Sequence, residues 1–351
     1  MGHTCHIRCE GNASEDDSPH FLATSAAATL SILDIAEMSE EEAEARFQAF
    51  RFAATGGEPF CVWCKCEVVY RITRNVKNRK TGAISTRRLF KCAKCLKQFS
   101  ITSGSEFHGR KLSFKKIMAA VLLFTNGAAG NAALRLRRDL RCNHKTAWLL
   151  QHRVRDAMTS YTTSRLLTGE IEMDATDFGG KVRKANRAED RKNQPRRHRD
   201  KVVSLSVLRE RGRGGRVVPF LGNEAALVRA IGSLVDHNAE FIVDEHPAWN
   251  ALFARFPVRQ IKHKDQYSDL QGTSTNLAES HWSRFKQMYN GTYRHFSRQY
   301  AHSYNGECAW REEHRRHSNG EQFILALAGA LHHPPSPIWR GYYQRTRRKS
   351  A

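Results

Sequence analysis

The sequence predicts a multi-domain α+β protein, and three observations carry that reading. Two C-x-x-C pairs, Cys61/Cys64 and Cys92/Cys95, bracket a stretch rich in β-forming residues. Three helical patterns follow, from Ser113 to about Ser160. A strand-rich section then starts at Glu170 and passes through a helix and another strand into further helices. The order implies a cysteine-closed ribbon, a helical unit and an α/β domain.

A chain of 351 residues suits two or three domains. Its 57 Lys and Arg against 35 Asp and Glu give a net charge of +22, spread along the sequence. So large an excess points to nucleic acid, because Lys and Arg neutralising phosphate supply most non-specific affinity. An anionic membrane surface is the rival, but no long basic amphipathic helix supports it. The best apolar run, "IMAAVLLF" at 117–124, is a core helix by length, so no membrane span is expected. The opening "MGHTCHIRCEGNASEDDS" lacks the apolar stretch of a secretory signal. A cytoplasmic protein is expected, with its nine Cys serving as metal ligands or core thiols rather than disulfides.

Residues 1–38 read as a poorly ordered lead-in. Residues 39–108 form a helix and a ribbon: Ser39 caps "EEEAEARFQAF", whose three leading Glu suit a first helical turn. The two cysteine pairs supply four thiolates, which close one tetrahedral Zn²⁺ site. The 27 residues between the pairs exceed the usual spacing, and a long basic hairpin accounts for the excess. A closed four-Cys set is structural, and metal binding would drive the folding of so small a module. Cys66 is a spare thiol beside the site, and "HTCHIRC" near the start is a weaker second metal candidate. Cys142 and Cys308 read as core residues.

Residues 109–162 form the helical unit. Ser113 caps its first helix, and "NAALRLRRDLRCNHKTAWLLQHRVRDAM" (131–158) reads as a helix, a short turn and a second helix. Ala147, Leu150, Val154 and Met158 make one apolar stripe, leaving Lys145, His152, Arg153 and Arg155 to face elsewhere. A helix-turn-helix unit puts the N-terminal end of its second helix in the major groove, which nominates Lys145 and Thr146 for DNA contact. A packed helical hairpin with a solvated basic face is the alternative.

Residues 168–316 hold the strands and the acids. The segment 181–201, with ten Lys or Arg and three acids, reads as an exposed basic loop that includes Lys181, Arg183 and Lys184. Asp174 falls in the middle of a strand, where Asp is depleted and costly to bury unpaired. Asp244 follows the apolar run "EFIV", at a strand end where α/β sheets hold their sites. In "STNLAESHWSRFKQMYNGTY", Ala278, Trp282, Phe285 and Tyr289 share an apolar sector of a helix; Asn276, Glu279, Ser283 and Lys286 share the polar one. Acids on a strand, a strand end and a helix can hold two Mg²⁺ ions for in-line phosphoryl displacement. A plain hydrogen-bonded Asp174 at a strand edge is the alternative, and Asp177, Asp236 and Glu245 compete for the same role. Glu172 shares the strand face of Asp174, a like charge with no partner legible in the sequence. Residues 317–351 read as a C-terminal helix and a basic tail, "RTRRKS".

The ordered stretches "CVWC…CAKC", "LRRDLRCNHKTAWLLQHRVRDAM", "EMDATDFGGK", "VDEHPAW", "STNLAESHWSRFK" and "NGTYRHFSRQY" resemble one family. It is the bacterial insertion-sequence transposases that join an N-terminal zinc ribbon to a DDE domain of RNase H-like fold with a mixed sheet (the ISXO-two-like group). The resemblance covers residues 39 to 316. It implies Asp174, Asp244 and Glu279 as catalytic carboxylates binding two Mg²⁺ (or Mn²⁺), with Lys286 as the basic residue after them and Asn276 as a motif asparagine. Ala175 and Asp177 depart from the family, which often has Glu and Tyr there. His263 and His295 match positions near the site. The implied chemistry is hydrolysis at an element end, followed by attack of the freed 3′-OH on target DNA. The zinc ribbon and helical unit would recognise terminal inverted repeats, and Arg153, the basic loop and the tail would hold DNA backbone. Double-stranded DNA is then the partner, the nucleoid the place of action, and at least a dimer is needed to join two ends. Two other functions fit the sequence: a DNA-binding regulator with an inactive catalytic domain, and an RNase H-like nuclease or resolvase that cuts without joining.

Overall fold

The computed structural model describes residues 20–77, 82, 84–192, 197–212, 215–261 and 274–344. The "HTCHIRC" cluster, His263 and the "RTRRKS" tail lie outside them.

Two short helices open the chain, α1 (Ile32–Glu37) and α2 (Glu40–Arg51). Each begins with a reciprocal capping box, Ser31 with Asp34 and Ser39 with Glu42, which satisfies N–H groups that a first helical turn leaves bare. The expectation of a poorly ordered lead-in fails for residues 20–38. Asn319 Oδ1 accepts the N–H groups of Thr29 and Leu30 at 2.8 and 3.1 Å, and Ile35 is buried. The anchor lies about 290 positions downstream, so no local pattern announces it.

The ribbon follows: β1 (Val69–Lys77), β2 (Ile84–Cys92) and the short β3 (Gln98–Phe99), all antiparallel. Helices α3 (Phe114–Thr125), α4 (Ala133–Leu140) and α5 (His144–Thr162) come next. Ser113 and Asn143 cap α3 and α5 through their side chains. Ribbon and helices share one core, in which Phe47, Phe52, Phe90 and Phe99 meet Ile117, Leu136 and Val154. The helical unit is thus continuous with the ribbon's support.

The second core surrounds a five-stranded mixed sheet. Its elements are β4 (Glu170–Lys181), α6 (Ala188–Arg191), β5 (Arg197–Glu210), β6 (Val217–Leu221), α7 (Glu224–Ala230), β7 (Glu240–Val243) and β8 (Val258–Gln260). The strand order is β6-β5-β4-β7-β8, antiparallel from β6 to β4 and parallel from β4 to β8. The basic segment 181–201 is not a loop throughout: β5 begins at Arg197, and Lys181 pairs with it across a register shift. Charged side chains do not oppose a strand whose faces are both wet, so a run of Lys and Arg hides this pairing from the sequence. Gly179 and Gly180, at φ +90° and +68°, bend β4 instead of ending it; a Cβ on Gly179 would stand 2.7 Å from the Lys201 carbonyl oxygen.

Alternation along β4 sends Ile171 and Met173 into a core with α7, Trp249 and Leu252. Glu172 and Asp174 therefore face the opposite side, where α8 (Asn276–Gln287) and α9 (Ala301–Glu313) pack through Trp282, Phe285, Tyr304 and Cys308 against Leu205 and Val207. The last helix, α10 (Asn319–His332), returns to the N-terminal core with Phe323, Leu327 and Leu331. The expected C-terminal helix is thus a structural part of that core. No helix among the described residues is long and apolar enough to cross a membrane.

Candidate active site and metal centre

The two cysteine knuckles have the same local build. The Cys61 carbonyl accepts from Lys65 N, and the Cys61 N–H donates to Cys66 O; the Cys92 carbonyl accepts from Leu96 N, and the Cys92 N–H donates to Lys97 O. Lys65 and Leu96, each just after the second Cys of its pair, both take left-handed φ values of 63° and 59°. These turns aim four sulfurs inward. Cys61 Sγ is 3.6 Å from Cys95 Sγ, and Cys64 Sγ is 3.5 Å from Cys92 Sγ. Four thiolates at ~2.3 Å from one tetrahedral ion stand about 3.7 Å apart, so the set fits Zn²⁺. The Cys95 N–H donates to Cys92 Sγ at 3.4 Å and pulls that thiol down to about 6. Among the described residues this is the one set of three or more such ligand atoms lying within 4.8 Å of one another.

The carboxylates are arranged by the sheet. Parallel pairing sets Glu170, Ile171 and Glu172 beside Glu240, Phe241 and Ile242. Extending that register by two residues brings Asp174 level with Asp244, just past the end of β7 and on an adjacent strand ~4.8 Å away. Asp174 is half-buried, and its Oδ1 accepts the N–H of Ala175 at 2.7 Å. Burial, and then the charges of Asp244, Glu279 and Glu224, push its carboxyl up to about 7. Asp244 Oδ1 accepts the indole N–H of Trp249 at 2.7 Å and the backbone N–H of His246 at 3.2 Å. Glu224, on the first turn of α7, is a fourth nearby acid that sequence reasoning missed; its distance along the chain gave no signal.

Helix α8 brings the third carboxylate. Ala278, Trp282 and Phe285 are buried, while Asn276, Glu279, Ser283 and Lys286 are exposed on the opposite face. Its N-cap residue Thr275 makes no side-chain cap bond. Glu172 does that work from β4: its Oε2 accepts the N–H groups of Leu277 and Ala278 at 2.8 and 3.1 Å, and its Oε1 accepts Arg211 Nε at 2.8 Å. The like charge beside Asp174 is therefore a helix cap, compensated by Arg211 and by the helix N-terminus. Farther along α8, buried His281 donates to Asn305 Oδ1 at 2.8 Å and to Glu312 Oε2 at 3.0 Å, locking α8 to α9. Lys286 lines a shallow groove of about 570 Å³ with Ser283, Gln287, Asn290 and Gly291.

The competing acids fall elsewhere. Asp177 is exposed and accepts from Ser204 Oγ at 2.7 Å; Asp236 precedes β7 and so lies at the other end of the sheet. Exposed Glu245 directly follows Asp244, and exposed His295 reaches Tyr289 OH at 3.0 Å.

The nominated DNA contacts divide. Lys181, Arg183, Lys184 and Lys145 are exposed or half-buried at the surface, as is Thr146. Arg153 is turned inward instead, donating to the carbonyls of Glu106 and His108. His152 and Arg155 are fully buried; Arg155 Nε meets Glu307 Oε2 at 2.6 Å. Helix α5 carries a second buried face because α9, α10 and Trp339 pack against it, which leaves His144 and Lys145 of the first turn and Ser160 as its exposed residues, with Leu149 and Arg153 half-buried. Near that turn lies a cleft of about 460 Å³ bounded by Arg110, Lys111, Lys145 and Tyr343.

Residues 38–98 match the family described as the transposase zinc-ribbon domain, and residues 166–313 match the ISXO2-like transposase domain. No curated protein and no solved structure matches the chain. With the ribbon first and the DDE domain second, this chain belongs to the ISXO2-like transposases, as a DNA-binding protein with a zinc ribbon.

Proposed function

We propose that the chain cleaves DNA at the ends of an insertion sequence and joins the freed ends to target DNA, using Asp174, Asp244 and Glu279. The observation that carries this reading is the convergence of acids on one half-buried group: parallel pairing sets Asp174 level with Asp244, and burial with the charges of Asp244, Glu279 and Glu224 pushes the Asp174 carboxyl up to about 7. Such a cluster suits divalent metal. The three carboxylates do not meet the 4.8 Å spacing of a single-ion shell. Asp174, Asp244 and Glu279 would suit a pair of Mg²⁺ or Mn²⁺ ions, which would supply charge stabilisation for the entering and leaving oxygens of an in-line displacement.

In the first step a water oxygen bonds to phosphorus, the bond to the 3′-oxygen breaks, and that oxygen leaves as a hydroxyl. In the second, the hydroxyl attacks a target phosphodiester, and the target's own 3′-oxygen departs with a proton. Asp174 and Asp244 are held by neighbouring strands, while Glu279 rides on a helix capped by Glu172. Asn276 and Lys286 flank Glu279 on one exposed face. Lys286 lies seven residues on, about 10 Å along the axis, where it would hold an adjacent phosphate. Lys181, Arg183 and Lys184 would hold backbone farther out. Two ends must meet, so at least two chains act together.

A strand-transfer assay with Mg²⁺ tests the reading on duplex DNA carrying the sequences that border the gene. Joined products are expected. Cleavage without joining would indicate a nuclease or resolvase, and binding alone a regulator.

A further inference from the structure

The β1–β2 hairpin carries eight Lys or Arg and no Asp or Glu from Val68 to Lys91. Its two faces handle that charge differently. On the face shared by Arg71 and Arg88, Arg71 pairs with Glu58 at 3.1 Å and Arg88 pairs with Glu44 of α2. The opposite face holds the cross-strand pairs Tyr70 with Lys91, Ile72 with Leu89, and Arg74 with Arg87. Arg74 and Arg87 are exposed, and no carboxylate among the described residues pairs with them or with Lys91. Like charges directly opposite one another destabilise a ladder, so this face holds a repulsion that the fold itself leaves standing.

We infer that this outer face is the surface that reads duplex DNA, lying as a two-stranded ribbon in the major groove. The groove, about 12 Å wide, admits such a ribbon. Nine paired residues per strand reach about 30 Å, enough to follow several base pairs. Arg74 and Arg87 would meet phosphate or guanine, and the half-buried Ile72 and Leu89 between the charged pairs suit thymine methyl groups. Helix α5 is the less able reader, because most of its body is buried and Arg153 is engaged with the carbonyls of Glu106 and His108. The inference rests on the reading that the chain acts on DNA ends.

The test uses the full-length protein and a short duplex of the sequence bordering the gene, against a duplex of shuffled sequence. Arg74→Ala/Arg87→Ala should weaken binding to the bordering duplex by about 10- to 100-fold and reduce the salt slope by about 2. Arg71→Ala/Arg88→Ala should change it by no more than about 3-fold, the usual size of a rim effect. Arg74→Glu separates binding from folding: an acid opposite Arg87 should raise the melting temperature while lowering DNA affinity. Wild-type affinity in the outer-face double variant, or equal losses from both faces, overturns the inference. If the wild-type protein binds but joins no DNA while the outer-face variant loses binding, the inference stands and the strand-transfer reading falls. Normal joining by the outer-face variant overturns the inference and leaves the strand-transfer reading in place.

Discussion

Glu172 accepts the backbone N–H of Leu277 at 2.8 Å, so a strand side chain caps the helix that carries Glu279. The strand that bears Asp174 thereby holds the start of α8 directly, two residues from one carboxylate and one helical turn from another. Glu172→Ala should remove the cap and one of the partners of Arg211, which keeps Ser274 and Glu170, costing about 1–2 kcal/mol in urea unfolding. Glu172→Gln, which keeps one acceptor oxygen, should cost less. If the alanine variant unfolds like the parent, the cap contributes nothing.

Asp244 is both a proposed ligand and the acceptor for the Trp249 indole. Asp244→Asn preserves an acceptor oxygen and removes the charge, so it should lose cleavage while folding and binding DNA nearly as the parent does. Asp244→Ala should also lose about 1–2 kcal/mol, because it orphans a buried donor. Gel assays of cleavage beside thermal melts separate the two effects.

Asp174 sets a pH dependence in metal-free buffer. Its folded carboxyl, at about 7, lies above the ordinary value of 3.8. Between those values the unfolded chain releases a proton that the folded chain retains, so this group lowers stability as pH rises and its full cost holds above 7. Asp174→Asn should match the parent in acid and exceed it at neutral pH by on the order of 2 kcal/mol, allowing for solvent at a half-buried group. A gap that does not widen with pH would remove the burial argument.

Arg155 and Glu307 tie α5 to α9 by a fully buried ion pair, and Tyr293, at the end of the turn after α8, donates to the same Glu307 at 2.8 Å. Arg155→Met leaves that carboxylate short of its main buried cation and should cost about 3–5 kcal/mol by denaturant titration. The double variant Arg155→Met/Glu307→Leu should recover part of the loss.

Zinc removal should unfold more than the ribbon. Phe90 and Phe99 share a core with Phe47 and Phe52, so the metal's contribution, on the order of 10 kcal/mol, extends into α2 and α3. Cys64→Ser, or a strong chelator, should release the ion and lower the melting temperature of the whole N-terminal core. A chromophoric zinc indicator and far-UV dichroism report both.

Short-range pattern carried much of this protein. The spacing of four cysteines specifies their closure, the Ser39 and Ser113 caps mark helix starts, and the apolar stripe through Ala278, Trp282 and Phe285 orients Glu279 and Lys286. These features are local because each is set by one turn or one helical period. What only the tertiary structure decided is where remote groups meet. The same strand alternation that aligns Glu172 with Asp174 says nothing of α8 arriving above it, and one apolar stripe on α5 does not foretell a second face covered by α9 and Trp339. Arg153 turned inward, and Arg197 began a strand, for a similar reason. A sequence encodes which side chains avoid water, whereas the partner of a buried charge is fixed only when segments far apart in the chain pack together.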